Sequence, residues 1–392
     1  MDTRQFIAEH LHDDVHELAL KYSNAKVDMA LALRQIEARQ LLRKKCPFWS
    51  DNTDLLFPPH LSIEQCSSEA TAQYKASLLQ GESFVDLTGG LGVDCYTIAQ
   101  QFQHSDYVEQ NAELCVLAEH NFTILAGSDA NRNNPPIVHN ESAESFLTHC
   151  PQVDVIFLDP ARRDTYGRKT VSIADCNPDV LELQDLLLQK ARRVMVKLSP
   201  MLDISKALEQ LRCVKEVHVV AVANECKELL FILERGCQDD PELVCVNLQS
   251  GQPAVHFTRE DERNAGLPLA SKPLEYLYEP NAALMKCGCF KLLAQRFEVL
   301  KLHPSSHLYT ADQRISDFPG RIFQVEGWAP YNKKLKQSLL ADIHRASIAT
   351  RNFPVTVDAL RKSWKIADGD EVYLFATTLA GDQKIVIKAR KG

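Results

Sequence analysis

The chain has 392 residues, enough for two or three domains with ample core, and its 45% hydrophobic and 24% charged content match an ordinary globular protein. No apolar run approaches the ~20 residues of a membrane span, and the polar opening from Met1 to Gln5 lacks the apolar centre of a signal peptide, so a cytoplasmic location is expected and a membrane partner is not. The formal net charge of −8 argues against a surface coated in cations for bulk nucleic-acid binding, although from Tyr331 onward Lys and Arg outnumber Asp and Glu about two to one.

Residues 1–62 read as an N-terminal helical region. Met29, Leu33, Ile36 and Leu41 fall near helical spacing, and Arg43, Lys44 and Lys45 suit the negative end of that helix's dipole. Cys46-Pro47 breaks it, and Pro58-Pro59 marks a boundary. Phe48, Trp49 and Phe57 read as packing against the next domain, with a wall of a ligand cleft as the sharper alternative. A helix follows over 67–76, with Ser67 or Ser68 as its cap and Glu69 in its first turn.

Phe84, Val85 and Leu87 then read as a buried strand. It carries Asp86 near its end and breaks into a turn of Thr88, Gly89, Gly90 and Gly92, with Asp94 opening the helix beyond. Such a strand, turn and helix bring backbone N–H groups close to a ligand, where a Cβ would block the approach. The turn alone fits a nucleoside pocket or a merely tight connection. A dinucleotide fingerprint is the poorer match, because the Gly90, Gly92 register ends at Cys95. Glu109, with Gln110 beside it, stands about twenty residues on, where a second strand ends and a carboxylate can accept both ribose hydroxyls; a solvated acid is the bland alternative. A third strand-turn-helix over 136–147 brings Glu141 and Ser142 to the same edge, Ser142 also being a good helix cap.

The unbroken apolar run from Val155 to Leu158 is a buried strand ending in Asp159-Pro160, at the edge where ligands bind in open α/β sheets. Arg163, Arg168 and Lys169 make the next loop basic, suited to an anionic substrate or simply to solvent. A fifth strand ends with Lys197 and Ser199. Segments 215–223 and 228–234, joined by a polar turn at 224–227, read as an antiparallel edge hairpin. The composition shifts near Gly236. Beyond it lie a linker and small α+β, ferredoxin-like region at 239–318 and a basic domain at 319–392, with a strand at 321–326, helices at 334–344 and 357–364, and a final hairpin across Gly381. The 12 cysteines are scattered; the close pair Cys287 and Cys289 fits neither a zinc ribbon nor a redox motif, so free, mostly buried thiols and no structural metal are expected.

The run from Asp86 through Gly92 resembles the first motif of class I S-adenosyl-L-methionine (SAM) dependent methyltransferases, with Thr88 where the first glycine often sits. Asp159-Pro160 resembles the D/N-P-P-Y/F motif of nucleic-acid amino-methyltransferases. With Tyr278-Glu-Pro-Asn-Ala-Ala283, Arg351-Asn-Phe-Pro-Val355, Asp368-Gly-Asp370 and 373–378, nearly the whole chain resembles the bacterial class I methyltransferases that carry a C-terminal THUMP-like domain. The resemblance implies an α/β fold: a Rossmann-like seven-stranded class I methyltransferase sheet over 63–238, the N-terminal helical region, and a small C-terminal α+β (THUMP-like) domain. It implies SAM as cofactor, with Asp86, Thr88, Gly89, Gly90, Gly92 and Asp94 shaping the methionine end, Glu109 and Gln110 at the ribose, and Glu141 and Ser142 at the adenine.

By analogy with true THUMP enzymes the resemblance also implies an RNA substrate. Asp159 would orient the target nitrogen and accept its proton, with Pro160 beside it. The chain departs from the motif at Ala161, which replaces the second proline, and at Arg162, which replaces the aromatic; Arg162 or Tyr166 would then stack on the base. Arg163, Tyr166, Arg168 and Lys197 are the remaining substrate-binding candidates. Pyrimidine C5 methylation needs a nucleophilic cysteine near these strand ends, and 159–162 and 197–200 contain none. Methyl transfer to a nitrogen of an RNA base is expected. The rivals are a small-molecule or protein methyltransferase, a SAM- or RNA-binding protein without turnover, and a nicotinamide enzyme, which the edge hairpin and Asp159-Pro160 disfavour.

Overall fold

The computed structural model describes residues 2–22, 27–58, 60–128, 134–162 and 172–392. It forms two compact units, Met1–Glu216 with Leu229–Asp239, and Val217–Glu228 with Asp240–Gly392. No helix of the described residues is long and apolar enough to cross a membrane, and the 12 cysteines are free thiols.

Five helices open the first unit: α1 (Thr3–Glu9), α2 (Val15–Lys21), α3 (Met29–Leu42), α4 (Pro47–Asp51) and α5 (His60–Gln65). Asp2, Asp14 and Asp28 cap the first three, each accepting first-turn N–H groups that the helix leaves unpaired. Ala32 and Ile36 of α3 pack with Phe6 and Leu18 in a small core. The spacing predicts Leu41 inside; the structure buries Leu42 and leaves Leu41 exposed, because Ala32, Gln35, Arg39 and Leu42 follow one helical stripe and Leu41, five residues after Ile36, falls off it. Buried Arg39 donates to the carbonyls of Asn52, Thr53 and Leu55, tying down the segment before Phe57.

α6 (Glu69–Ser77) starts at Ser68, whose hydroxyl accepts the Thr71 N–H. The sheet then alternates with helices: β1 (Ser83–Asp86), α7 (Val93–Ala99), β2 (His104–Val108), α8 (Ala112–Ser128), β3 (Ile137–His139), α9 (Ala143–His149) and β4 (Val153–Leu158). A short antiparallel ribbon of β5 (Ala161–Arg162) and β6 (Cys176–Asn177) precedes α10 (Val180–Lys190), β7 (Ala191–Leu198) and α11 (Ile204–Gln210). The hairpin of β8 (Val214–Val222) and β9 (Glu225–Glu234) follows, with β9 antiparallel to β7. Its turn is tighter than the polar segment suggested. Ala223 and Asn224, with φ of 48° and 67°, form a two-residue turn of the primed sense, so 225–227 already belong to β9.

In sheet order the strands run β9-β7-β4-β1-β2-β3, with β8 on the far side of β9. Chain direction through the sheet reverses between β1 and β4. The crevice outside the C-terminal ends of these two strands is therefore the topological switch point, where a ligand finds converging backbone groups.

Seven strands of this sheet, β1 to β4 and β7 to β9, fall within 63–238 as expected, and in the second unit β10 (Glu242–Leu248) and β11 (Val255–Phe257) continue the order beside β8. After α12 (Arg259–Asn264) come β12 (Tyr276–Pro280), α13 (Ala282–Cys287), α14 (Lys291–Arg296), β13 (Leu300–Lys301), β14 (Tyr309–Ala311) and β15 (Gly320–Pro330). The chain ends with α15 (Leu335–Ser338), β16 (Ser347–Arg351), α16 (Val357–Trp364), β17 (Tyr373–Thr378) and β18 (Lys384–Lys391). A second sheet has the order β13-β14-β12-β15-β18-β17-β16. Glu279 of β12 is buried and accepts from the Nε atoms of Arg321 (2.9 Å) and Arg351 (2.8 Å). The helix expected over 334–344 is a single turn. Leu335 and Leu340 reach the core of this sheet through successive turns rather than along one helical face.

Candidate active site

The turn after β1 is fixed from both sides. The Leu87 N–H donates to the Phe157 carbonyl and the Gly89 N–H to the Val108 carbonyl, each at 3.0 Å. Behind the turn stands Tyr107, whose hydroxyl donates to the Gly90 carbonyl at 2.6 Å. A Cβ on Gly89 would lie 2.1 Å from the Tyr107 ring, so that position admits no side chain. Gly92 has φ of 90°, and a Cβ there would meet Phe122 at 2.9 Å.

Outside this turn lies a cavity of about 280 Å³. Asp86, Asp94, Glu109, Glu141, Glu144 and Asp159 line it, and no Lys or Arg does among the described residues. Asp86 accepts the Thr88 N–H at 2.9 Å through Oδ1, while its Oδ2 is buried without a partner. Burial holds the Asp86 carboxyl well above the usual carboxylate range, and the neighbouring acids add to this against the Thr88 N–H. Glu109 accepts the N–H groups of Gly90 (3.0 Å) and Asn111 (2.9 Å), which point its carboxylate across the turn. Glu141 accepts from the Ser145 hydroxyl at 2.6 Å and pairs with His149 at 3.1 Å; these two partners lower its pKa. Ser142 caps α9, accepting the Ser145 N–H.

Asp159, just past β4, is held by two partners. Its N–H donates to the Thr88 hydroxyl at 2.6 Å, and its Oδ2 takes the Lys197 ammonium at 2.5 Å. Behind it runs a chain of buried charges. The Ser67 hydroxyl accepts from Lys197 and from Lys75, both at 3.1 Å, and donates to Asp94 Oδ2 at 2.6 Å. Lys75, fully buried, pairs with Asp94 Oδ1 at 3.2 Å. Burial works to raise the Asp94 pKa, but the charges of Lys75 and Lys197 with the Ser67 hydroxyl outweigh it and hold Asp94 below its ordinary value.

The structure thus brings Asp86, Thr88, Gly89, Gly90, Asp94, Glu109, Gln110, Glu141, Ser142 and Asp159 to one cavity. Gly92, Pro160 and Lys197 stay off its wall: Gly92 starts α7, and Lys197 is engaged by Asp159 rather than turned to the opening. The Arg162 side chain and all of Arg163, Tyr166, Arg168 and Lys169 lie outside the described residues. Sequence reasoning missed Ser67 and Cys66 on the wall and Lys75 behind it. One signal was available. Lys75 falls on the buried face of α6, where a lysine needs a carboxylate.

A parallel sheet that reverses between β1 and β4, closes with an antiparallel hairpin and carries an acid-lined cavity at its C-terminal edge defines a class I methyltransferase domain. Family models match a ferredoxin-like domain over residues 276–319 and a THUMP domain-like region over 320–391. A solved structure from Porphyromonas gingivalis W83, assigned as a methyltransferase, is 34% identical; the match covers 100% of this chain and 97% of that one, with a TM-score of 0.88. The chain belongs to the class I SAM-dependent methyltransferases that carry a C-terminal THUMP-like domain.

More distant likenesses include a Thermus thermophilus 16S rRNA N2 G1207 methyltransferase in complex with AdoMet and guanosine (13% identity, 46% of each chain, TM-score 0.34). Another is an rRNA methylase from Streptococcus thermophilus (14% identity, 42% of this chain and 93% of that one, TM-score 0.31). At these scores neither carries an argument about the substrate. No curated protein matches the chain significantly.

SAM is the cofactor of this family, and the cavity fits it. Its sulfonium and ammonium against one carboxylate make it a cation, suited to a wall whose described residues include six acids and no Lys or Arg. The same wall would repel the pyrophosphate of a dinucleotide. Buried Asp86 Oδ2 also lacks the partner that a ligand donor would supply.

Proposed function

We propose that the protein transfers the methyl group of SAM to a nitrogen of an RNA base. Bound SAM supplies an activated methyl group on its sulfonium. The protein's task is then to align donor and acceptor, an effect worth up to ~7–11 kcal/mol. Asp86 and the turn from Thr88 to Gly92 take the methionine end, Glu109 with Gln110 the ribose, and Glu141 with Ser142 the adenine.

The observation that carries this reading is Asp159. It stands at the end of β4 on the cavity wall, over a third of its side chain exposed, with one carboxylate oxygen held by Lys197. The other oxygen accepts an N–H of the target amine, and the carboxylate takes the proton released on transfer. In sequence Arg163 and Arg168 follow Asp159 closely, and their charge suits a phosphate backbone. The RNA reading draws its support from the THUMP-like domain and its charge. Residues 320–392 hold 13 Lys and Arg against 7 Asp and Glu in a protein of net charge −8.

The test uses purified protein, SAM with a labelled methyl group, and separated RNA, DNA and protein fractions from cells lacking the gene. Label is expected in RNA alone, and Asp159→Ala is expected to abolish it while sparing SAM binding. Label in protein or in small molecules would replace RNA as the acceptor. SAM binding without label anywhere would leave a binding protein, and retained turnover in Asp159→Ala would remove that residue from the mechanism.

A further inference from the structure

Asp159 by itself does not define an acceptor base. An ionised carboxylate only accepts hydrogen bonds, so its outer oxygen can take an N–H of the target amine and cannot read an acceptor atom beside it. In adenine, cytosine and guanine the exocyclic amine has such a neighbour, a ring nitrogen with a lone pair. Reading that nitrogen takes a donor. No Lys or Arg lines the cavity among the described residues, so the wall there offers donors only on neutral side chains and on the backbone.

Just beyond Asp159 the chain enters the ribbon of β5 and β6, in which Ala161 lies directly opposite Asn177 and Arg162 opposite Cys176. Side chains directly opposite each other in an antiparallel pair share a face. That face is the one turned to the cavity: Ala161 and Asn177 both line it and both are exposed, whereas Cys176, on the alternate face, is buried. Ala161 brings only a methyl group, so Asn177 is the polar side chain of this face. Asparagine is a poor strand residue, and the ladder itself does not call for it.

Asn177 is also held in place. Cys176 and Pro178 on either side of it are buried, and the next residue, Asp179, caps α10 by accepting the N–H groups of Leu181 (3.0 Å) and Glu182 (3.2 Å). Among the described residues the wall's other carboxamides are Gln110, after β2, and Gln65, at the end of α5. Asn177 is the one on the segment paired with the chain leaving Asp159.

We propose that Asn177 is a substrate-specificity residue: its carboxamide donates to the ring nitrogen next to the target amine while Asp159 accepts the amine N–H. This rests on the RNA-base reading above. The two side chains together select a base edge that carries an amine beside a bare ring nitrogen. Uracil sets a carbonyl oxygen against the Asp159 carboxylate and a ring N–H against the Asn177 donor, and is rejected. Engaging the ring nitrogen also leaves the amine as the atom that receives the methyl group.

The test compares the full-length protein with Asn177→Ala and Asn177→Asp, using SAM binding, thermal melting and single-turnover transfer to RNA from cells lacking the gene. Asn177→Asp keeps the shape of the side chain and replaces its donor with an acceptor. Asn177→Ala is expected to lower kcat/KM for RNA about tenfold and Asn177→Asp about a hundredfold, with SAM affinity and melting temperature unchanged. Transfer at the wild-type rate by either variant overturns the proposal. A loss matched by an equal fall in SAM affinity also overturns it, making Asn177 part of the cofactor pocket. RNA labelled by the wild-type protein is digested to nucleosides, and the label is expected on an exocyclic amine; label on a ring nitrogen, a ring carbon or the ribose overturns the proposal. Failure of the RNA reading shows separately, as absence of label in RNA with the wild-type protein, and the proposal falls with it.

Discussion

The Thr88 hydroxyl accepts the backbone N–H of Asp159 at 2.6 Å, so the turn after β1 and the acid after β4 are fastened to each other directly. β1 and β4 already run in parallel register, with Phe84 opposite Val155 and Asp86 opposite Phe157, and the Thr88 bond carries that register past the strand ends. A glycine at 88 would leave the Asp159 N–H without this acceptor. Thr88→Val keeps the shape and removes the acceptor, so it is expected to leave SAM binding near normal and slow single-turnover transfer about tenfold. Thr88→Ser should recover the rate, and an unchanged rate in Thr88→Val would show that the bond does not position Asp159.

Asp86 is expected to make the stability of the fold depend on pH. Its folded-state pKa is raised, so the folded protein holds a proton that the unfolded chain has released. The stability this contributes is complete below the unfolded value near 3.9 and is lost as pH rises toward the raised folded value. Asp86→Asn is therefore expected to raise the melting temperature of the ligand-free protein most at the alkaline end, while weakening SAM binding about tenfold. Melting curves from pH 5 to 9, with and without SAM, check both; equal pH slopes in the two proteins would remove Asp86 as their source.

The pair Lys75 and Asp94 has the opposite sign. Asp94 is held below its ordinary pKa, so its contribution is present above about pH 4 and lost as pH falls through the folded value. Lys75→Met leaves a buried carboxylate short of its nearest cation and should destabilise the protein by about 3–5 kcal/mol in urea unfolding. Lys75→Met combined with Asp94→Leu should recover much of that. A double variant as unstable as the single one would contradict the pairing.

For RNA, replacing Lys333, Lys334 and Lys336 with Glu is expected to weaken binding and flatten its dependence on salt, with SAM affinity unchanged. RNA affinity equal to wild type would exclude these three lysines from docking.

Local chemistry made much of the molecule legible. Val155 to Leu158 before Asp159-Pro160, the glycine turn after Phe84 and Val85, and the helix at 357–364 each lie within one short window, and the structure forms the corresponding strand, turn and helix. The network behind Asp159 was illegible for the converse reason. Ser67, Lys75, Asp94, Asp159 and Lys197 come from distant parts of the chain, and no spacing marks them as partners. Lys197 read as a group for the substrate because its sequence position gives the strand end but not the carboxylate waiting there. The short α15 and the tight turn at Ala223 and Asn224 were lost to tertiary packing and backbone conformation, which composition does not report.

The clasp of Glu279 by Arg321 and Arg351 bears on how this chain can be taken apart. The two family models meet between residues 319 and 320, yet β12 on one side pairs with β15 on the other from Tyr276 to Pro280, within one continuous sheet. Cutting there would bare a strand edge on each fragment and leave a buried carboxylate without its two guanidinium partners. The boundary between the two matches thus falls inside one sheet, and the smallest piece expected to stand by itself is that whole sheet.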